Sequence, residues 1–101
     1  MTSSSHPARR APVEASQTVT VINRFGIHAR PAALIVKTAS GYQSEVYLEK
    51  NGVRVSAKSI MGLLTLEGQS GSVFRVTAVG HDAAEAVKVL VDLFEKKFFE
   101  D

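Results

Sequence analysis

The dipeptide Asn51-Gly52 constrains the fold of this chain more than any other feature. Both residues tolerate positive φ, and together they form the strongest short hairpin signal a sequence carries. Ser44 to Lys50 precedes it, with Val46 and Leu48 directed to one face and Tyr47 to the other. Val53 to Ser56 follows as the returning strand. Two neighbouring strands are therefore expected to run antiparallel with almost no loop between them. Outside this hairpin the hydrophobic period changes repeatedly. Thr18-Val19-Thr20-Val21 alternates and is β-branched, as a half-buried strand requires. From about Ala29 to Ser40 the apolar residues Ala32, Ile35, Val36 and Ala39 fall at helical spacing, and Gly41 is a natural stop. Ser59 opens a short helix to about Leu66. Ser72 to Val79 is a strand with Phe74, Val76 and Ala78 on one face. Asp82 and Glu85 stand at capping-box spacing. They begin a long helix with the stripe Val87, Leu90, Val91, Phe94 and Phe98. The order βαββαβα gives an α+β domain, an antiparallel sheet with its helices packed on one face.

Composition narrows the class. The chain has 101 residues, suited to one domain with a modest core, and 45% hydrophobic against 22% charged residues is an ordinary globular balance. Cysteine is absent, which excludes disulfides, thiolate metal sites and a cysteine nucleophile. The histidines at 6, 28 and 81 are too scattered for metal-ligand spacing, so neither metal nor cofactor is expected. No apolar run approaches the ~20 residues of a membrane span, and the N-terminal stretch lacks the apolar core of a signal peptide, so a cytoplasmic location without membrane insertion is expected. The formal net charge of +2 is small, and part of it sits at Arg9 and Arg10. Without clustered basic residues and interleaved aromatics, no nucleic-acid partner is expected. Residues 1–16, rich in Ser, Ala, Pro and Arg and without periodicity, read as a flexible tail before a domain over residues 17–101. His6 within it is read as inert, and His81 as a surface or turn residue.

The heptapeptide Gly26-Ile27-His28-Ala29-Arg30-Pro31-Ala32 carries the chemistry. A helix begins here, and its first N–H groups lack internal acceptors. With the macrodipole they make a ready anion site. Proline costs little in the first turn, where its missing N–H would have gone unpaired. Gly26 lets the chain reverse without a Cβ clash. The helix end and Arg30 both disfavour a charged imidazole, which leaves a ring nitrogen free to attack phosphorus. After attachment, the same amides and Arg30 neutralise the phosphoryl charge. No acidic residue lies between Asn23 and Ala39 to oppose this. The blander reading is a capping histidine beside a surface arginine; the concurrence of glycine, histidine, arginine, proline and helical pattern favours phosphoryl chemistry.

This heptapeptide resembles the active-site signature of the HPr family, the histidine phosphocarriers of the bacterial phosphoenolpyruvate-dependent phosphotransferase system. Lys58-Ser59-Ile60-Met61-Gly62 resembles the regulatory serine segment of family members from bacteria that carry HPr kinase. The likeness extends from about Gln17 to the C-terminus and leaves residues 1–16 uncovered. It implies a four-stranded open-faced β-sandwich with three helices on one face. It further implies that His28 accepts a phosphoryl group, through Nδ1, from phosphorylated enzyme I and passes it to an A component. Arg30 would stabilise the transferring group. Ser59 would be the substrate of HPr kinase/phosphorylase, and its position also suits an N-cap. A phosphoserine there adds ~1.5 to 2 negative charges beside a positive helix end, so its effect is expected on partners rather than on the fold.

The short helix is apolar on several sides. Leu63 and Leu66 are expected in the core. By position in the family, Ile60, Met61 and Leu64 would dock partners together with Ala29 and Ala33. The protein is accordingly expected to be a carrier rather than a free-standing catalyst, and a monomer that exposes its site to successive partners. Two alternatives stay open. One is a carrier in a nitrogen-related or purely regulatory relay. The other is a binding module that acts through phosphoserine on a transcription regulator; in such paralogues the active-site histidine is lost, whereas His28 and Arg30 are both present here. A generic βαββαβ ligand or RNA module has no positive support.

Overall fold

A computed structural model describes residues 13–100. Its strands are β1 (Glu14–Thr20), β2 (Glu45–Lys50), β3 (Val53–Ser56) and β4 (Val73–Val79). Its helices are α1 (Ala29–Ser40), α2 (Ile60–Thr65) and α3 (Ala83–Glu95), and a single tight turn, Lys97–Phe99, follows α3. The sheet order is β1-β4-β2-β3, antiparallel throughout. The last strand is thus inserted between the first two.

The hairpin forms as its turn residues dictate: Asn51 and Gly52 adopt φ of 52° and 82°. Those positive values match the twist of the flanking strands, which pair Lys50 with Val53 and Leu48 with Val55. Leu48 faces Val76 and Val46 faces Ala78 across β2 and β4, while Val19 faces Phe74 across β1 and β4. All of these are buried, on the face that receives Ala32, Ile35 and Ala39 of α1, Leu63 of α2, and Leu90 and Phe94 of α3. Each Val, Leu, Ile or Phe side chain among them contributes about 1.5–3 kcal/mol on burial. The opposite face carries Tyr47, Glu49, Arg54 and Arg75, and no helix among the described residues covers it, which makes the sandwich open-faced.

Several local details depart from the sequence expectations. β1 begins at Glu14, so Glu14, Ala15 and Ser16 of the expected tail are strand, held by the register Glu14 to Val79 and Ala15 to Ala78. The rest of that expected tail, including His6, Arg9 and Arg10, lies outside the described residues. Gly41 caps α1 with φ −77°, a right-handed conformation open to any residue, and not in the left-handed form expected of a glycine stop. Asp82 is the N-cap of α3 but makes no capping bond from its side chain. Its carboxylate instead accepts from the Gln43 and Ser44 amides, at 2.9 and 3.0 Å, and from the Ser44 hydroxyl. Finally, α3 stops at Glu95, one turn short of Phe98. Phe98 is fully buried all the same, with its ring 4.9 Å from that of Phe94.

Candidate functional site

Gly26 sets the geometry of the site. Its φ is +70°, and a Cβ there would stand 2.2 Å from the Gly68 carbonyl oxygen. Only glycine fits. The chain turns on it, and the next amide, that of Ile27, donates to the same Gly68 oxygen at 2.7 Å. Ile27 is buried beneath the site. His28 follows as the N-cap of α1, extended at φ −86° and ψ −168°, and its side chain makes no capping bond. The imidazole is therefore left for other work. The His28 backbone carbonyl accepts from the Ala32 amide at 3.0 Å. The amides of Ala29 and Arg30 head the helix, where no intrahelical acceptor exists, and Pro31 has no N–H to waste.

Residues that the sequence did not announce complete the site. Glu100 places Oε2 2.9 Å from His28 Nε2 and 3.2 Å from Arg30 Nη1. Arg30 Nη1 also donates to the Phe98 carbonyl at 2.9 Å. The amide of Asn23, wholly buried, donates to Glu100 Oε1 at 3.1 Å and to the Gly26 carbonyl at 2.7 Å. Burial alone would raise the Glu100 pKa; the Asn23 amide, the neighbouring His28 ring and Arg30 outweigh it and hold the carboxyl below its usual range. The electrostatics expected of this site are thereby corrected. No acid lies near in sequence, yet the fold delivers one from about 70 positions away. His28 Nε2 is closed to solvent although the side chain as a whole is 42% exposed. Its contact with Glu100 has hydrogen-bond length but lies off the ring N–H direction, so no aligned bond satisfies it.

Phe25 is a second residue that patterning did not single out. It is 72% exposed, stands edge-on to the His28 ring at 6.5 Å, and has the Arg24 guanidinium over its ring at 5.2 Å. Its exposure beside a histidine is a surface signal, and no periodicity around residue 25 reports it. For Asn23 a weak signal did exist. Asn followed three residues later by Gly is turn chemistry, and the Gly26 amide does close on the Asn23 carbonyl at 3.3 Å.

Ser59 caps α2, accepting from the Gly62 amide at 3.0 Å. It is not brought to His28. Lys58 Nζ donates to the Tyr42 carbonyl beyond the end of α1, whereas Gly68, past the end of α2, meets Ile27 at the start of α1. The two helices therefore pack antiparallel, and Ser59 sits at the far end of α2. Leu63 and Leu66 are core as expected. Ile60, Met61 and Leu64 are exposed, as are Ala29 and Ala33 of α1. No helix among the described residues is long and apolar enough to cross a membrane.

The fold and site define a class: an open-faced α+β sandwich that presents a histidine and an arginine at a helix start. The sequence profile described as "PTS HPr component phosphorylation site" matches residues 15–96. The chain is 44% identical over 85 residues to phosphocarrier protein HPr of Treponema pallidum (strain Nichols), covering 84% of this chain and 97% of that protein. It is 45% identical over 74 residues to the HPr-like protein Crh of Halalkalibacterium halodurans, covering 73% and 88%. The crystal structure of HPr-C-His from Thermoanaerobacter tengcongensis superposes with a TM-score of 0.83 at 47% identity, covering 86% of this chain and 98% of that one. The chain belongs to the HPr phosphocarrier family of the phosphotransferase system, whose members work with the partner proteins of that system.

Proposed function

We propose that this protein carries a phosphoryl group on His28 between phosphorylated enzyme I and an A component. The observation that carries the reading is the His28 imidazole, partly open to solvent at the start of α1, with Arg30 beside it and Nε2 turned inward. Nδ1 is then the nitrogen left to react. Its lone pair attacks phosphorus, the new N–P bond forms as the donor's phosphoramidate bond breaks, and that electron pair returns to the donor. Delivery to the acceptor's histidine is the same step reversed. The amides of Ala29 and Arg30, with the Arg30 guanidinium, offset the phosphoryl charge. Ile60, Met61, Leu64, Ala29 and Ala33 form the apolar surface on which partners dock. Such contacts are transient, so the interface is small and the protein works as a monomer in the cytoplasm.

Ser59 is the regulatory site in this reading, phosphorylated by HPr kinase/phosphorylase. A second reading, serine-phosphorylated binding to a transcription regulator, is supported by the likeness to Crh and by the segment Lys58-Ser59-Ile60-Met61-Gly62. Loss of regulator binding in Ser59→Ala supports it, and unchanged binding removes it. The carrier is tested by mixing the protein with enzyme I and phosphoenolpyruvate and following ³¹P NMR. An acid-labile phosphoramidate signal is expected in the wild type and absent in His28→Ala. Phosphate acceptance by His28→Ala, or none by the wild type with active enzyme I, overturns the reading.

A further inference from the structure

Glu100 lies beyond every motif, yet three side chains of the site converge on it. Asn23 holds Oε1, while His28 and Arg30 share Oε2. The segment that delivers it is strained: Lys97, Phe98 and Phe99 adopt φ of 55°, 54° and 61°, a run of left-handed residues without a glycine. Such a conformation persists only where surrounding contacts over-determine it. Here the fully buried Phe98 ring packs on Phe94, and the Phe98 carbonyl accepts from Arg30. The molecule therefore holds an unfavourable turn that ends with a carboxylate against the imidazole.

We propose that Glu100 is a positioning residue for His28: facing Nε2, its carboxylate keeps the ring proton there and leaves the lone pair on Nδ1. A buried ring nitrogen 2.9 Å from a carboxylate oxygen is stable as N–H and repelled as a lone pair. A neutral imidazole has one proton, so fixing it on Nε2 leaves Nδ1 unprotonated. Asn23 and Arg30 act through Glu100, fixing each of its oxygens. The consequence for transfer rests on the carrier reading above; the consequence for the ring does not.

The test therefore has two arms on the full chain. Ring-nitrogen NMR of the unphosphorylated protein, at alkaline pH where the imidazole is neutral, reads the tautomer directly. Wild type is expected to show the Nε2–H form, Glu100→Ala a mixture, and Glu100→Gln, whose amide oxygen still accepts, a return toward wild type. The same tautomer in wild type and Glu100→Ala overturns the proposal, whether or not the protein is a carrier. In the second arm, acceptance from phosphorylated enzyme I is expected to slow by about tenfold in Glu100→Ala, roughly the loss of one charge-assisted hydrogen bond, with partial rescue by Glu100→Gln. An unchanged rate constant at saturating donor overturns positioning. Failure of the wild type to accept phosphate at all removes the carrier reading instead and leaves the tautomer result to decide.

Discussion

At Gly26 one hydrogen atom decides whether the site can form. An added methyl meets the Gly68 carbonyl at 2.2 Å and must also hold φ at +70°. Gly26→Ala is expected to cost about 2–4 kcal/mol in urea unfolding, combining left-handed strain with a forced backbone shift. A loss under 1 kcal/mol, by the strain arithmetic for left-handed residues, shows that the loop relaxes at no cost. Ser59 makes the opposite kind of contribution, a hydrogen bond rather than an absence. Ser59→Ala is expected to lose about 1 kcal/mol with the α2 cap, whereas Ser59→Asp keeps an acceptor and places negative charge at a positive helix end, so it should hold wild-type stability. Equal losses in both variants exclude capping as the source. Both residues were legible in the sequence, because turn and cap chemistry operates over three or four neighbours. Glu100 was not. Its partners Asn23, His28 and Arg30 are remote in sequence, and no local rule links them.

Among the elements, α2 is the one whose two faces separate packing from recognition. Leu63 is fully buried, while Met61 is 74% exposed. Met61→Asp is expected to leave stability within about 0.5 kcal/mol of wild type. Transfer from enzyme I should nevertheless fall about tenfold or more, since the charge must be desolvated against an apolar partner. An unchanged transfer rate takes Met61 out of the docking surface. The helical period identified α1, and the Ser59 cap announced α2, with Leu63 and Leu66 expected inside and both found buried. The period could not place the end of α3. Phe98 continues the apolar stripe at i+4 from Phe94, yet its residue sits in a left-handed turn after the helix has stopped. A period records which side chains are buried, and two backbone paths can bury the same one. The capping box at Asp82 and Glu85 misled for a related reason. The carboxylate had a choice of donors, and the loop before β2 offered three at once.

That choice ties the molecule together. By bonding to Ser44 and Gln43, Asp82 fastens the start of α3 to the α1–β2 connection. The Ser44 hydroxyl and the Gln43 and Ser44 amides hold its pKa at about 2, below the ordinary 3.8. A depressed carboxyl pKa stabilises the fold above the unfolded value, and that contribution disappears as pH falls through the folded one. Wild type should therefore lose stability on acidification from about pH 4 to about pH 2, and Asp82→Asn should be flatter across that window. A gap between the two proteins as wide near pH 2 as at neutrality contradicts the assignment. The sheet order belongs to this scale as well. β4 enters between β1 and β2, a pairing set by long-range packing of Phe74, Val76 and Ala78 rather than by any turn.

The sequence by itself determined the hairpin, the class of fold, the histidine and arginine at a helix start, and the cap on the short helix. Each rests on interactions between near neighbours: positive φ at Asn51-Gly52, orphan amides at a helix start, apolar periodicity. Only the tertiary structure decided what faces His28. The segment after α3 folds back because Phe98 has a hydrophobic pocket to fill, and Glu100 is carried with it to the imidazole. Burial of a distant side chain settled the electrostatics of the site, and burial is a property of the whole chain.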